Sequence, residues 1–169
     1  MRLTLKPFGH VDPTVLGFLQ DTLRTLGAVS VAAESGLPGE GFDAKKGMYL
    51  ASSLLRACRD EVGDRVLAVT AADLFDDGKT FVFGYATMRD RYAVISIARL
   101  GPPDGPRFRE RIAKEAVHEI GHTLGLGHDK NPKCVMHFST SLEDADDKGR
   151  EFCASCSAAA EFTLRRLGT

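Results

Sequence analysis

Three histidines and a glutamate crowd into eleven residues, His118-Glu119-Ile120-Gly121-His122-Thr123-Leu124-Gly125-Leu126-Gly127-His128. His118 and His122 are four apart, so on a helix their side chains rise from one face, one turn apart. Two imidazoles so placed can reach one zinc ion with nitrogens at about 2.0–2.1 Å. Glu119 stands about 100° round the helix from His118. It need not bind metal; it can take a proton from a zinc-bound water and later pass it to the leaving amine. Gly125 lets the helix stop one turn after His122, because a left-handed residue reverses the chain and glycine adopts that conformation without steric cost. The return brings His128 in as third ligand. Three protein ligands leave a fourth position for water, the mark of a catalytic zinc rather than a closed structural one. From ordinary residue frequencies the chance of the full pattern in a chain of this length is on the order of 10⁻⁵.

A second cluster follows. Of four cysteines, Cys134, Cys153 and Cys156 lie in the last 36 residues, and the last two form Cys-x-x-Cys, which favours metal binding. Residues 129–156 hold few large apolar groups. Something must offset the entropy of ordering them, and a closed zinc site contributes folding energy directly. Cys58 stands alone in an apolar helical pattern and reads as a small buried hydrophobe.

The elements that must position these groups can be read from periodicity. Residues 1–8 read as a strand. Asp12-Pro13 opens a helix carried by Val15, Leu16, Leu19, Leu23 and Leu26 and ended by Gly27. A second strand spans 28–33, a loop 34–47, a helix 49–62 and a buried strand 65–75, with a turn at 76–78. Strands over 81–88 and 91–100 are joined so tightly, by Arg89-Asp90, that they should be antiparallel. The metal-bearing helix runs from Arg107 to about Leu124, with Ala113, Ala116, Val117, Ile120 and Leu124 on the buried stripe. The expected fold is therefore α/β (α+β): a twisted, mostly parallel sheet, an antiparallel edge strand at 81–88, an active-site helix and a small irregular C-terminal subdomain. We divide the chain at residues 1–127 and 128–169.

Composition bounds the function. The 169 residues are 43% hydrophobic and 27% charged with formal net charge −1, so neither nucleic acid nor an anionic membrane is an expected partner. No apolar run reaches the roughly 20 residues a membrane helix needs, and the N-terminus lacks a signal peptide's apolar core. The expectation is a cytoplasmic monomer whose cysteines stay reduced.

The extended zinc motif, Met136 soon after the third histidine and the closing Cys153-x-x-Cys156 together resemble the archaemetzincins, a branch of the metzincin metallopeptidases. The phrase Phe83-Gly84-Tyr85-Ala86 and the upstream strand–helix order also look like that family. The resemblance implies a metzincin-like zincin fold, Met136 as a Met-turn packing beneath the zinc without ligating it, and cysteines holding a second, structural zinc. The family places a first cysteine directly after the third histidine; here that residue is Asp129. Sixteen residues (137–152) separate Met136 from Cys153, one fewer than in the family pattern. Three thiolates thus leave one ligand position, for which Asp129 is favoured and His137 is the alternative.

The expected activity is zinc-dependent hydrolysis of peptide bonds, with a low-turnover zinc-containing peptide-binding protein of the same fold as the alternative. A purely structural two-zinc module is a third reading, which water on the first zinc would exclude. Substrate would add as a strand to the free edge of 81–88. There Gly84 and Ala86 would permit close approach while Phe81, Phe83 and Tyr85 turn to the other face. The chain begins almost on its first strand, so no inhibitory pro-segment is expected. A narrow cleft suited to small peptides or chain termini is the expected restraint.

Overall fold

The structure is a computed structural model that describes residues 1–168. Its main sheet has five strands in the order β2-β1-β5-β8-β7. These are β1 (Arg2–Phe8), β2 (Ala28–Val31), β5 (Arg65–Thr70), β7 (Gly84–Ala86) and β8 (Tyr92–Ser96). All neighbours run parallel except β7 and β8, which are antiparallel with β7 at the edge. A central parallel strand is covered on both faces, and β5 shows it. Leu67 and Val69 enter one core and Val66 and Ala68 the other, all at 0% exposure.

One core lies under α1 (Pro13–Leu23) and α3 (Phe108–Thr123). Asp12 caps α1, accepting a 2.8 Å bond from the Thr14 amide that holds its carboxyl below the usual carboxylate range. In α3 the stripe Ala113, Ala116, Val117, Ile120 and Leu124 is buried as its period requires. The other core lies under α2 (Ala51–Ala57). It takes in Cys58, whose thiol burial pushes up to about 12.

Several boundaries differ from the sequence expectation, each for a tertiary reason. The loop 34–47 contains β3 (Phe42–Asp43), paired with β4 (Met48–Leu50). Because β4 also pairs with β6 (Leu74–Phe75), residues 49 and 50 are strand and the helix expected from 49 begins at Ala51. The strand expected over 65–75 breaks after Thr70. There the Thr70 hydroxyl accepts from the Ala72 amide at 3.1 Å, and the chain crosses to this three-stranded sheet. The strand expected over 81–88 is regular only over Gly84–Ala86. Val82 bridges instead to Leu74, which bends the chain. Phe83 then packs into the α3-side core and Tyr85 against the α2-side core. Phe81, Phe83 and Tyr85 therefore do not share a face as period-2 alternation suggested.

After residue 128 the chain carries α4 (Leu142–Asp147) and α5 (Ala154–Gly168), which the sequence reading did not anticipate. A reciprocal capping box between Ser141 and Asp144 starts α4. Asp146 fastens α4 to α3 by accepting two bonds from Arg111, at 2.8 and 2.7 Å, and one from Arg107 at 2.7 Å. The Arg111 guanidinium holds that carboxyl down at about 2. No helix among the described residues is long and apolar enough to cross a membrane.

Candidate active site and metal centres

The end of α3 is built by hydrogen bonds the sequence dictates. Gly125 takes φ +94°. Its amide donates to the His122 carbonyl at 2.9 Å, and the Leu126 amide donates to the Gly121 carbonyl at 3.0 Å. This is a Schellman motif, and it turns the chain so that His128 returns over His118 and His122. The three ring centroids stand 4.6, 5.3 and 4.9 Å apart.

Backbone carbonyls fix the tautomers. His118 Nδ1 lies 2.8 Å from the Val135 carbonyl and His122 Nδ1 lies 2.8 Å from the Leu126 carbonyl. A carbonyl only accepts, so each Nδ1 carries the proton and each Nε2 presents a lone pair. The two Nε2 atoms face each other at 3.1 Å. Facing lone pairs repel unless a cation lies between them, and two nitrogens on one tetrahedral zinc stand roughly 3.3 Å apart. The ligand atoms of His118, His122 and His128 all fall within 4.8 Å of one another, so the donor set fits zinc. Burial is the main cause that lowers all three imidazoles below the ordinary histidine range, His118 most strongly, which keeps them neutral as ligands must be.

Glu119 lies beside this trio, buried at 5% exposure. Its Oε2 has no hydrogen-bond partner among the described residues. Burial, reinforced by the neighbouring Glu115 carboxylate, raises it well above the usual range. Gly84 is what admits it. A Cβ on Gly84 would lie 2.6 Å from both Glu119 Cγ and Oε1. The missing side chain therefore makes room for Glu119, a neighbour that the sequence alone does not indicate. Ala86 lines the same cleft, in partial burial. Met136, fully buried, fits against Gly121, where a Cβ would clash with its thioether.

The cleft encloses about 540 Å³. It is lined by the segment from Gly78 to Ala86, by Glu115, Glu119 and the three histidines, and by Phe138, Ser139, Thr140 and Lys148. Lys148 donates to Glu115 at 3.0 Å. Sequence reasoning missed this pair. Glu115 sits one turn before Glu119, but nothing local marks Lys148 as its partner.

The second cluster also assembles. Ligand atoms of Asp129, Cys134, Cys153 and Cys156 lie within 4.8 Å of one another. Asp129 Oδ2 is 3.5 Å from Cys153 Sγ and 3.3 Å from Cys156 Sγ. Cys134 Sγ accepts from the Cys153 amide at 3.3 Å. The Asn131 amide on Asp129 holds its carboxyl low, ready to act as an anionic ligand. His137 turns elsewhere, its Nδ1 donating to the Asp129 carbonyl at 3.0 Å. All four cysteines are free thiols.

Comparison with known proteins places the chain in a family. The model of peptidase family M54 matches residues 41–161. The archaemetzincin of Methanopyrus kandleri is 44% identical over 154 residues, covering 89% of this chain and 88% of the relative. Its crystal structure superposes with a TM-score of 0.90 at 38% identity, over 98% of this chain and 96% of that one. A zinc-dependent peptidase from Methanocorpusculum labreanum matches with a TM-score of 0.81 at 28% identity, over 94% and 99%. The chain accordingly belongs to the archaemetzincins, peptidase family M54, and is a zinc-dependent metallopeptidase.

Proposed function

We propose that His118, His122 and His128 hold the catalytic zinc through Nε2 and that Glu119 is the general base and acid of peptide hydrolysis. The observation that carries this is the buried, unpartnered Glu119 Oε2 beside two facing Nε2 lone pairs. When bound, zinc acidifies a water and polarises the scissile carbonyl. Glu119 Oε2 accepts the proton and returns it to the departing nitrogen. A carboxylate raised by burial suits both halves of that task better than an ordinary one. The Val135 and Leu126 carbonyls hold the rings in place, and Met136 fills the space behind the helix at Gly121. The free edge of β7, with Gly84 and Ala86, offers main-chain groups to an extended substrate.

A second, structural zinc on Asp129, Cys134, Cys153 and Cys156 makes two per chain. It ties the segment after His128 to the first turn of α5 and so gives residues 128–169 a unity of their own. Reduced thiols in this role fit the cytoplasm. Glu119→Ala tests the scheme. Hydrolysis of a peptide library should fall by about 10²–10⁴-fold with two zinc per chain retained by elemental analysis. Unchanged hydrolysis would show that Glu119 is not the base.

A further inference from the structure

Three buried hydrogen-bonding groups on residues that line one cleft are short of partners. Glu119 Oε2 is one and is used by the proposed reaction. The others are the Ser139 hydroxyl, a buried atom with no partner among the described residues, and the Lys148 ammonium. Lys148 is a cleft-lining residue whose side chain is 1% exposed. Glu115 takes one of its three N–H donors at 3.0 Å, and no other bond to that ammonium occurs among the described residues.

Lys148 is not needed to fasten its own segment. Arg107 and Arg111 already grip Asp146, and Lys114 spends its ammonium on the Ala145 and Asp146 carbonyls at 3.0 and 2.8 Å. Lys114 is thus a structural lysine with two of its three donors used on α4, while Lys148, a cleft-lining residue, uses one. A buried ion pair gains little stability over an apolar pair of similar size, so folding alone gives weak reason for one in the wall of a reaction cleft. Lys148 lines the same cleft as His118, Glu119, His122 and His128, which puts its charge close to the reacting centre. Lys79, the other lysine of the cleft, is solvent-exposed and has no comparable fixed partner.

A carboxylate is the group that satisfies a spare ammonium donor and a spare hydroxyl together. We propose that Lys148 and Ser139 bind a substrate carboxylate, so that the enzyme selects peptides carrying one close to the scissile bond, as an acidic side chain or as the C-terminus of the chain. The proposal rests on the cleft being the peptidase site.

The test measures equilibrium binding of peptidyl hydroxamates to the zinc-loaded protein, so that turnover is not required. One probe carries Glu after the hydroxamate with an amidated C-terminus, a second Gln in its place, a third Leu with an amidated C-terminus, and a fourth Leu with a free carboxylate. The expected result is that the Glu probe exceeds the Gln probe, or the free-terminus probe exceeds its amide, by about tenfold. Whichever pair shows the difference identifies the source of the carboxylate. Lys148→Met should bring the ratio to near one, and Ser139→Ala should reduce it about threefold. Lys148→Met leaves Glu115 buried and unpaired, so Lys148→Gln with Glu115→Gln, which adds no net charge, gives the same reading if the single variant does not fold. Equal binding of both pairs by the parent, or a preference that survives loss of Lys148, overturns the proposal. If no probe binds more tightly with zinc than without it, the active-site reading fails and takes this proposal with it.

Discussion

The two candidate metal clusters meet at consecutive residues, His128 closing one and Asp129 opening the other, yet they are built in different ways. The histidine cluster is preformed. Two of its ligands ride a buried helix, their Nδ1 protons tied to carbonyls, and the third is delivered by a hydrogen-bonded helix end. The cysteine cluster draws its candidate ligands from a loop, a turn and the first turn of α5, segments that backbone bonds bring together, Asp129 N–H to the Met136 carbonyl at 3.0 Å and Val135 N–H to the Glu151 carbonyl at 2.9 Å. On the proposed reading the fold makes the first site, and a zinc on the second adds to the bonds that hold its segments. An open centre needs ligands that stay put when substrate and water exchange, whereas a closed one is free to use metal affinity as folding energy.

That contrast can be broken most forcefully by removing one ligand from each cluster. Cys156→Ser should release one zinc and lower the unfolding midpoint by about 10 °C or more. His122→Ala should abolish hydrolysis and release the other zinc while moving the midpoint by only a few degrees. Calorimetry alongside elemental analysis checks both, and equal shifts in the two variants would erase the distinction. Gly84→Ala sharpens the account of the histidine side. The new methyl meets the Glu119 carboxylate, so kcat should drop roughly tenfold with zinc content unchanged. A parent-like kcat would place the close approach elsewhere. Asp129→Cys sharpens the other side and has the smallest effect. A fourth thiolate should slow zinc loss to a chelator about tenfold without altering peptide turnover.

What the sequence disclosed follows the same division. The three histidines, Glu119 and Gly125 fall in eleven residues, so a helix and the glycine turn that ends it bring them together. Cys134, Cys153 and Cys156 were visible as a spacing, and Asp129 as the residue standing where a thiolate was expected. The parallel sheet and its antiparallel edge were legible because β5 and β8 are long apolar runs. The short strands β3, β4 and β6 were not, since two- and three-residue strands owe their existence to partners distant in sequence. The helix α4 left a signal that was passed over, the Ser141 to Asp144 capping box. The Glu115–Lys148 pair left none, as 32 intervening residues (116–147) and the docking of α4 bring it together. Gly84 is legible as a place of close approach, but its neighbour Glu119 is not, because strand and helix are distant in sequence.

The central claim is that three imidazoles converge on one ion through Nε2. Anomalous diffraction at the zinc edge from crystals of the metal-loaded protein tests it most directly. A peak about 2.0–2.1 Å from Nε2 of each of His118, His122 and His128 is the predicted result. A peak absent from that point, or one bonded to fewer than these three rings, would contradict it.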